Sequence, residues 1–446
     1  MAKTVPVGQQ PAGIGPVEIG HRARVIRGHR GLSLDEVAGL AGIGVDDLTM
    51  LERGARRFER RGLIEDLANA IGCPVTHLTG QPYLPVDRAS ADALAVVPGI
   101  RQALCDTTLD DPLEPQARPV AELAHWAQQA KEHLDQDRYA RAGHELGTLM
   151  TELRVRAAAD NADNADIRNP ALAALVMTCH VAGAITGMIG YHDLALIAGR
   201  RALDAAARLG DPVILGLARF GWARRWIDVG ARPQAETANR LALAELEPVA
   251  DPSAADPGAA ELLGMHRLLA ATLAARAGRD GDARDHLDRA RALAERTGER
   301  NTAQLHFGPT NVALWTLSVD TDLGAGPRAY EQAQQLDVET LHSRARTGSY
   351  HFDLARALVQ DGGARDDEAI RHLDLADQAA PVWLRNHPVA RELTEELTQR
   401  ARRLLSDVDS LLDRFGMTGR RSQRVNREMI SSGSALRVPI PGGDVR

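Results

Sequence analysis

The sequence is short of cysteine, lysine and aromatic residues. Its three cysteines, Cys73, Cys105 and Cys179, are isolated; with no CxxC pair and an odd count they make neither a disulfide framework nor a zinc-ligand set. A reducing, cytoplasmic setting is expected. Lys3 and Lys131 are the only lysines, so arginine carries nearly all the positive charge. No GxxxxGK[ST], HExxH or GxSxG element occurs, which removes the common phosphate-binding, zinc-peptidase and hydrolase signatures. His125, His133 and His144 fall close to one helical face but read as ordinary surface or core residues. No enzyme activity, cofactor or metal is therefore expected. The N-terminus shows no charged segment followed by an apolar one, so no secretory signal is read there. One apolar run, Ala173 to Gly190, is rich in small residues and interrupted by His180; it reads as a buried helix rather than a membrane span.

What is abundant is alanine, leucine and arginine. A chain of 446 residues exceeds a single core, which stops growing near roughly 250 to 300 residues. Strong helix formers with few aromatics suit closely spaced helices, so the fold class is all-α. The net charge of −7 argues against a chain that coats nucleic acid along its whole length, while a small basic module remains compatible with it.

Punctuation divides the chain. Residues 1–16 are rich in Gly, Pro and Gln and read as a flexible arm. Residues 17–80 carry short helical patterns separated by Gly31, Gly42, Gly54, Gly62 and Gly72. Six prolines mark 81–119 as a linker with one short helix around Ala89 to Ala95. Residues 120–415 are helical almost throughout, and 416–446 read as a disordered basic tail.

The first helical unit has the most specific pattern. Ile19, Ala23 and Ile26 form an apolar stripe, and Ser33 with Glu36 has capping-box spacing. Ala38 permits a close crossing, Gly42 a tight turn, and Leu48 and Leu51 anchor the following helix. Over Ile19 to Gly80 these residues resemble the Cro/C1-type (XRE) helix-turn-helix family. The resemblance implies a five-helix domain that binds double-stranded DNA through the helix starting near Gly44. It places Gly44, Val45, Asp46, Asp47 and Thr49 at the reading face, with Ser33 as a further DNA-binding residue and Arg53, Arg56 and Arg57 at phosphates. Leu34 stands where the family usually has Gln, and Asp46 and Asp47 are poor neighbours for phosphate. From Val17 to Arg61, nine arginines face seven acids, a balance of +2.

Behind it, five segments repeat a helix, a Gly turn and a second helix with an early alanine. Ala195, Ala235, Ala283, Ala329 and Ala369 recur at intervals of 40, 48, 46 and 40. With Gly190, Gly230, Gly278 and Gly324 at the turns, the pattern resembles tetratricopeptide repeats, although the intervals exceed the usual repeat of about 34 residues. That resemblance implies an α-solenoid with a concave groove lined by the first helix of each repeat. It puts His180, Phe220, Arg224, Thr272, Arg276 and Asn311 on the groove as effector contacts, Arg for a carboxylate and Asn for a peptide backbone.

The combination resembles the peptide-pheromone-responsive regulators of Gram-positive bacteria and related actinobacterial proteins, a comparison that FGPTNVALW (Phe307 to Trp315) strengthens. It implies a homodimeric transcriptional regulator responding to a peptide or small-molecule effector, with no membrane partner. The alternative is a protein-interaction scaffold with a vestigial helix-turn-helix, favoured by Leu34, Asp46 and Asp47.

Overall fold

The computed structural model describes residues 19–106, 109, 116–158, 164–400 and 405–417. The arm expected over 1–16, and the tail apart from Gly416 and Met417, lie outside them. Among the described residues every regular element is helical and none is a strand.

The N-terminal unit comprises α1 (Ile19–His29), α2 (Leu34–Ala41), α3 (Val45–Glu52), α4 (Arg61–Ile71) and α5 (Val75–Thr79). Its core is the stripe read from sequence: Ile19, Ala23, Val37, Ala38, Leu48, Leu51, Leu67 and Ile71 are buried. Ser33 closes α2 as expected. Its hydroxyl accepts from the Glu36 N–H at 3.1 Å, and its own N–H donates to the Glu36 carboxylate at 2.8 Å. Gly20 lets α1 cross α3, since a Cβ there would stand 1.8 Å from the Leu51 carbonyl oxygen.

The stretch expected as a linker with one short helix carries two, α6 (Arg88–Ala95) and α7 (Val97–Asp106). Proline density misled there, because Pro98 lies in the first turn of α7, where a missing N–H costs no helical hydrogen bond. α7 packs on α10 (Leu146–Ala157), next to α8 (Val120–Asp135) and α9 (Tyr139–Gly143).

Helix pairs follow: α11 (Ala165–Ile189) with α12 (His192–Leu209), α13 (Pro212–Asp228) with α14 (Arg232–Leu246), and α15 (Gly258–Arg276) with α16 (Asp280–Thr297). Then come α17 (Pro309–Asp322) with α18 (Gly326–Ala333), and α19 (Arg344–Val359) with α20 (Asp366–Ala379). The chain ends through α21 (Pro381–Asn386), α22 (Pro388–Arg400) and α23 (Leu405–Arg414). The repeated alanines sit where paired helices cross, each at most 2% exposed, so a larger side chain would force the helices apart. The turn glycines 190, 230, 278 and 324 all have positive φ, between 70° and 102°, which L side chains adopt only under strain.

The first helices α11, α13, α15, α17 and α19 touch in succession and form an inner layer; the second helices form the outer one. α8 contacts both α11 and α19, which closes the layer into a ring. Hydrogen bonds seal the seam: Ser343 Oγ to the Asp135 carbonyl at 3.1 Å and Gln136 Nε2 to the His342 carbonyl at 2.7 Å. The Asp137 carboxylate accepts from the N–H groups of Val382 and Trp383, capping α21. The groove anticipated for an extended effector is thus a space surrounded by a ring of helices and partly open to solvent. Helix α11 is long and apolar enough to cross a membrane, but 78% of its apolar window is buried within the array.

Candidate nucleic-acid interface and the cavity behind it

α3 presents an outward face. Gly44 caps it in an extended conformation, and Gly44, Val45 and Asp46 are exposed while Leu48 and Leu51 point inward. Asp46 and Asp47 lie in the first turn, where carboxylates favour the helix dipole. Asp47 is paired with Arg56 at 2.5 Å, so each masks the other's charge. Thr49 donates its hydroxyl to the Val45 carbonyl at 2.8 Å, one turn back.

Most of the domain's arginines serve the fold. Arg27 clamps Glu52 through two hydrogen bonds of 2.6 and 2.8 Å, and Arg22 and Arg30 donate to the carbonyls of Leu78 and Ile71. Arg57, expected at phosphate, is buried instead. Its guanidinium lies 3.3 Å from Glu395 and 3.9 Å from Glu392, on α22. A cation so enclosed by carboxylates has no route to DNA while the domain sits in this position. Arg53 is exposed and its side chain, like that of Arg24, has no ion-pair or hydrogen-bond partner among the described residues.

Arg57, Arg60 and Arg61 turn toward the array because that is where the inner helices end. Arg60 donates to the Asp322 carbonyl at the end of α17 at 3.2 Å, and Arg61 reaches Asp228 at the end of α13 at 3.5 Å. Arg276, at the end of α15, pairs with Glu65 at 3.0 Å, and Arg232 with Asp66 at 2.7 Å. Helix C-termini carry partial negative charge and unsatisfied carbonyls, so an arginine cluster is a natural cap for several at once. Asn69 completes the contact by donating to the Gly230 carbonyl at 2.9 Å.

Inside the ring, next to this contact, lies a cavity of about 350 Å³. His180, Phe220, Arg224, Thr272 and Arg276 all line it, as do Arg61 and Gln81 from the N-terminal side. Gln81 donates to the carbonyls of Asn386 (2.9 Å) and Met188 (3.4 Å). Asn311 does not reach the cavity. It is fully buried at the start of α17, donating to the Leu305 carbonyl at 3.2 Å, because the loop between α16 and α17 folds over it. Phe352 and Arg356 are cavity residues that the sequence reading passed over. Their signal was present: Arg224, Thr272 and Ser318 each precede a turn glycine by six residues, as Arg356 precedes Gly362, and Phe220 and Phe352 stand ten before Gly230 and Gly362.

Burial dominates the electrostatics. It lowers His180 to a pKa of about 3, with Lys131 and Arg225 adding to the effect, and Arg224 to about 10. The imidazole is neutral at physiological pH, while Arg224 stays charged.

A family model described as a helix-turn-helix domain matches residues 18–79. No curated protein and no solved structure matches the chain. The N-terminal unit is a helix-turn-helix domain of the DNA-binding kind, followed by a solenoid-like stack of helices.

Proposed function

We propose that this chain is a transcriptional regulator of Cro/C1 (XRE) type, working in the cytoplasm as a homodimer, in which residues 17–80 read DNA. Residues 120–415 form a tetratricopeptide-like sensor, and 81–119 join the two. The observation carrying this reading is the shared cavity: Arg61 and Gln81 of the N-terminal side and the inner helices of the array enclose one space. A ligand there touches both units, so it can bind their docked and undocked arrangements with different affinity, the requirement for coupling two sites. On DNA, Gly44, Val45, Asp46 and Thr49 meet base edges and Arg53 meets phosphate. The Asp47–Arg56 pair opens to release a second cation, and dimerisation doubles these few contacts. Genome-wide mapping of bound fragments, followed by anisotropy titration on the recovered sequence, tests the reading. A single enriched palindromic class bound by a dimer supports it; absence of enrichment over an untagged control refutes it.

The commitment of Arg57, Arg60 and Arg61 to the array favours a second reading, a scaffold whose helix-turn-helix no longer engages DNA. In that case the isolated N-terminal surface shows no salt-dependent DNA binding at any ligand concentration.

A further inference from the structure

Ion pairing in the cavity is unbalanced. Among the described residues, seven arginine or lysine side chains and four aspartates line it. Asp228 serves Arg61 and Arg225, Asp135 serves Lys131, and Asp322 serves Arg276 and Arg356. Two guanidinium groups make no direct ion pair, Asp228 and Asp135 acting on Arg224 and Arg346 only from beyond contact distance. Arg224, on α13, has no hydrogen bond or ion pair among the described residues. The guanidinium of Arg346, on α19 across the ring, makes one hydrogen bond of 3.3 Å, to the Leu305 carbonyl. Both side chains line the same cavity. Both are partly exposed within it, so their charge-bearing donors stand open to an anion that enters.

We propose that the cavity is a binding site for a small organic anion, a carboxylate or phosphate monoester with an aromatic or apolar body, held by Arg224 and Arg346. Phe220, Trp315 and Phe352 supply an apolar wall beside these two donors. The volume of about 350 Å³ suits one metabolite-sized molecule, since ligand pockets begin at roughly 300 Å³. Because Arg61 lines the same space, the anion competes with Asp228 for it and bears directly on the docking of the helix-turn-helix unit. This inference deepens the sensor reading and rests on it only for that last step.

The test uses the full chain with benzoate, phenyl phosphate and inorganic phosphate as probes, each against sodium chloride of equal ionic strength. Thermal unfolding of the parent, Arg224→Met and Arg346→Met proteins is compared. Saturating probe raises the parental midpoint by roughly 2 to 4 °C and leaves either variant within about 1 °C of its own control. A larger rise with benzoate assigns a carboxylate, and a larger rise with phenyl phosphate assigns a phosphate monoester. Without ligand, Arg356→Met, which strands Asp353, melts well below the parent, whereas Arg224→Met, which breaks no hydrogen bond or ion pair, melts closer to it. Equal shifts in parent and variants, or no shift with any probe, overturn the anion site. Anisotropy on the bound DNA is read in parallel: probe binding that leaves DNA affinity unchanged sustains the site and refutes its regulatory role.

Discussion

Arg61, the first residue of α4, lies 3.5 Å from Asp228, the last residue of α13, and the pair joins the helix-turn-helix unit to the wall of the cavity. Burial alone would raise the Asp228 carboxyl, but Arg225, Arg61, His192 and Arg224 outweigh it and hold the pKa at about 2. A carboxyl lowered in the folded state stabilises above its unfolded value of 3.8 and loses that contribution as pH falls toward 2. The contribution is about 2 kcal/mol, complete at neutral pH. Asp228→Asn should flatten the acid limb of the stability profile between pH 4 and 2 by about one proton, and should speed hydrogen exchange in α4. An unchanged acid limb would show that Asp228 is not held low in the folded state, and unchanged exchange in α4 would show that the junction is held elsewhere.

The capping box makes a smaller, local prediction. Backbone and hydroxyl hydrogen bonds from Ser33 lower the Glu36 carboxyl, so the cap is intact above the ordinary carboxylate range and weakens as pH falls through the lowered value. Ser33→Ala should cost about 1 kcal/mol at pH 7 and less in acid, where the reciprocal bond is already gone. Denaturant titrations at the two pH values check this; a loss that does not shrink in acid contradicts it.

Two turn glycines separate backbone strain from docking. Gly190 (φ 102°) and Gly278 (φ 70°) both occupy the left-handed region, yet a Cβ on Gly278 meets nothing within 4 Å. One on Gly190 would stand 2.6 Å from the Gln81 Cβ. Both alanine variants should lose about 1 to 2 kcal/mol of stability. Gly190→Ala alone should also expose the segment around Gln81 to limited proteolysis. Similar cleavage of the two variants would argue that Gln81 plays no part in docking.

The helical class, the inner-helix positions and the turn glycines were legible because each follows from a short-range period: His180, Phe220, Arg224, Thr272 and Arg276 share a face set by 3.6-residue spacing and a nearby glycine. Asn311 followed the same period and failed, since a loop rather than the cavity covers that end of α17. The ring closure was not legible, because Ser343 meets Asp135 across 208 positions of sequence. The fate of the arginine cluster was hidden for the same reason. Phosphates and helix C-termini attract the same side chain, and only the tertiary fold brings Glu395 to Arg57.

Arg53 and Arg57 illustrate that ambiguity and permit the sharpest test of it. They lie four residues apart and the family resemblance implies the same role for both, yet Arg53 is exposed and Arg57 is enclosed by Glu392 and Glu395. Removing one partner of a buried charge cluster strands the rest, so Arg57→Ala should destabilise the chain by about 3 to 5 kcal/mol. Arg53→Ala should change stability by no more than about 0.5 kcal/mol, as exposed positions do. On DNA the order reverses in kind. Loss of Arg53 should weaken binding to all sequences alike and reduce the slope of log affinity against log salt by about one. Loss of Arg57 should leave that slope unchanged, because a side chain facing Glu395 releases no counterion from phosphate. If instead Arg57→Ala lowers the salt slope and spares stability, the N-terminal unit must leave the array to bind DNA and carry Arg57 with it to the phosphate backbone.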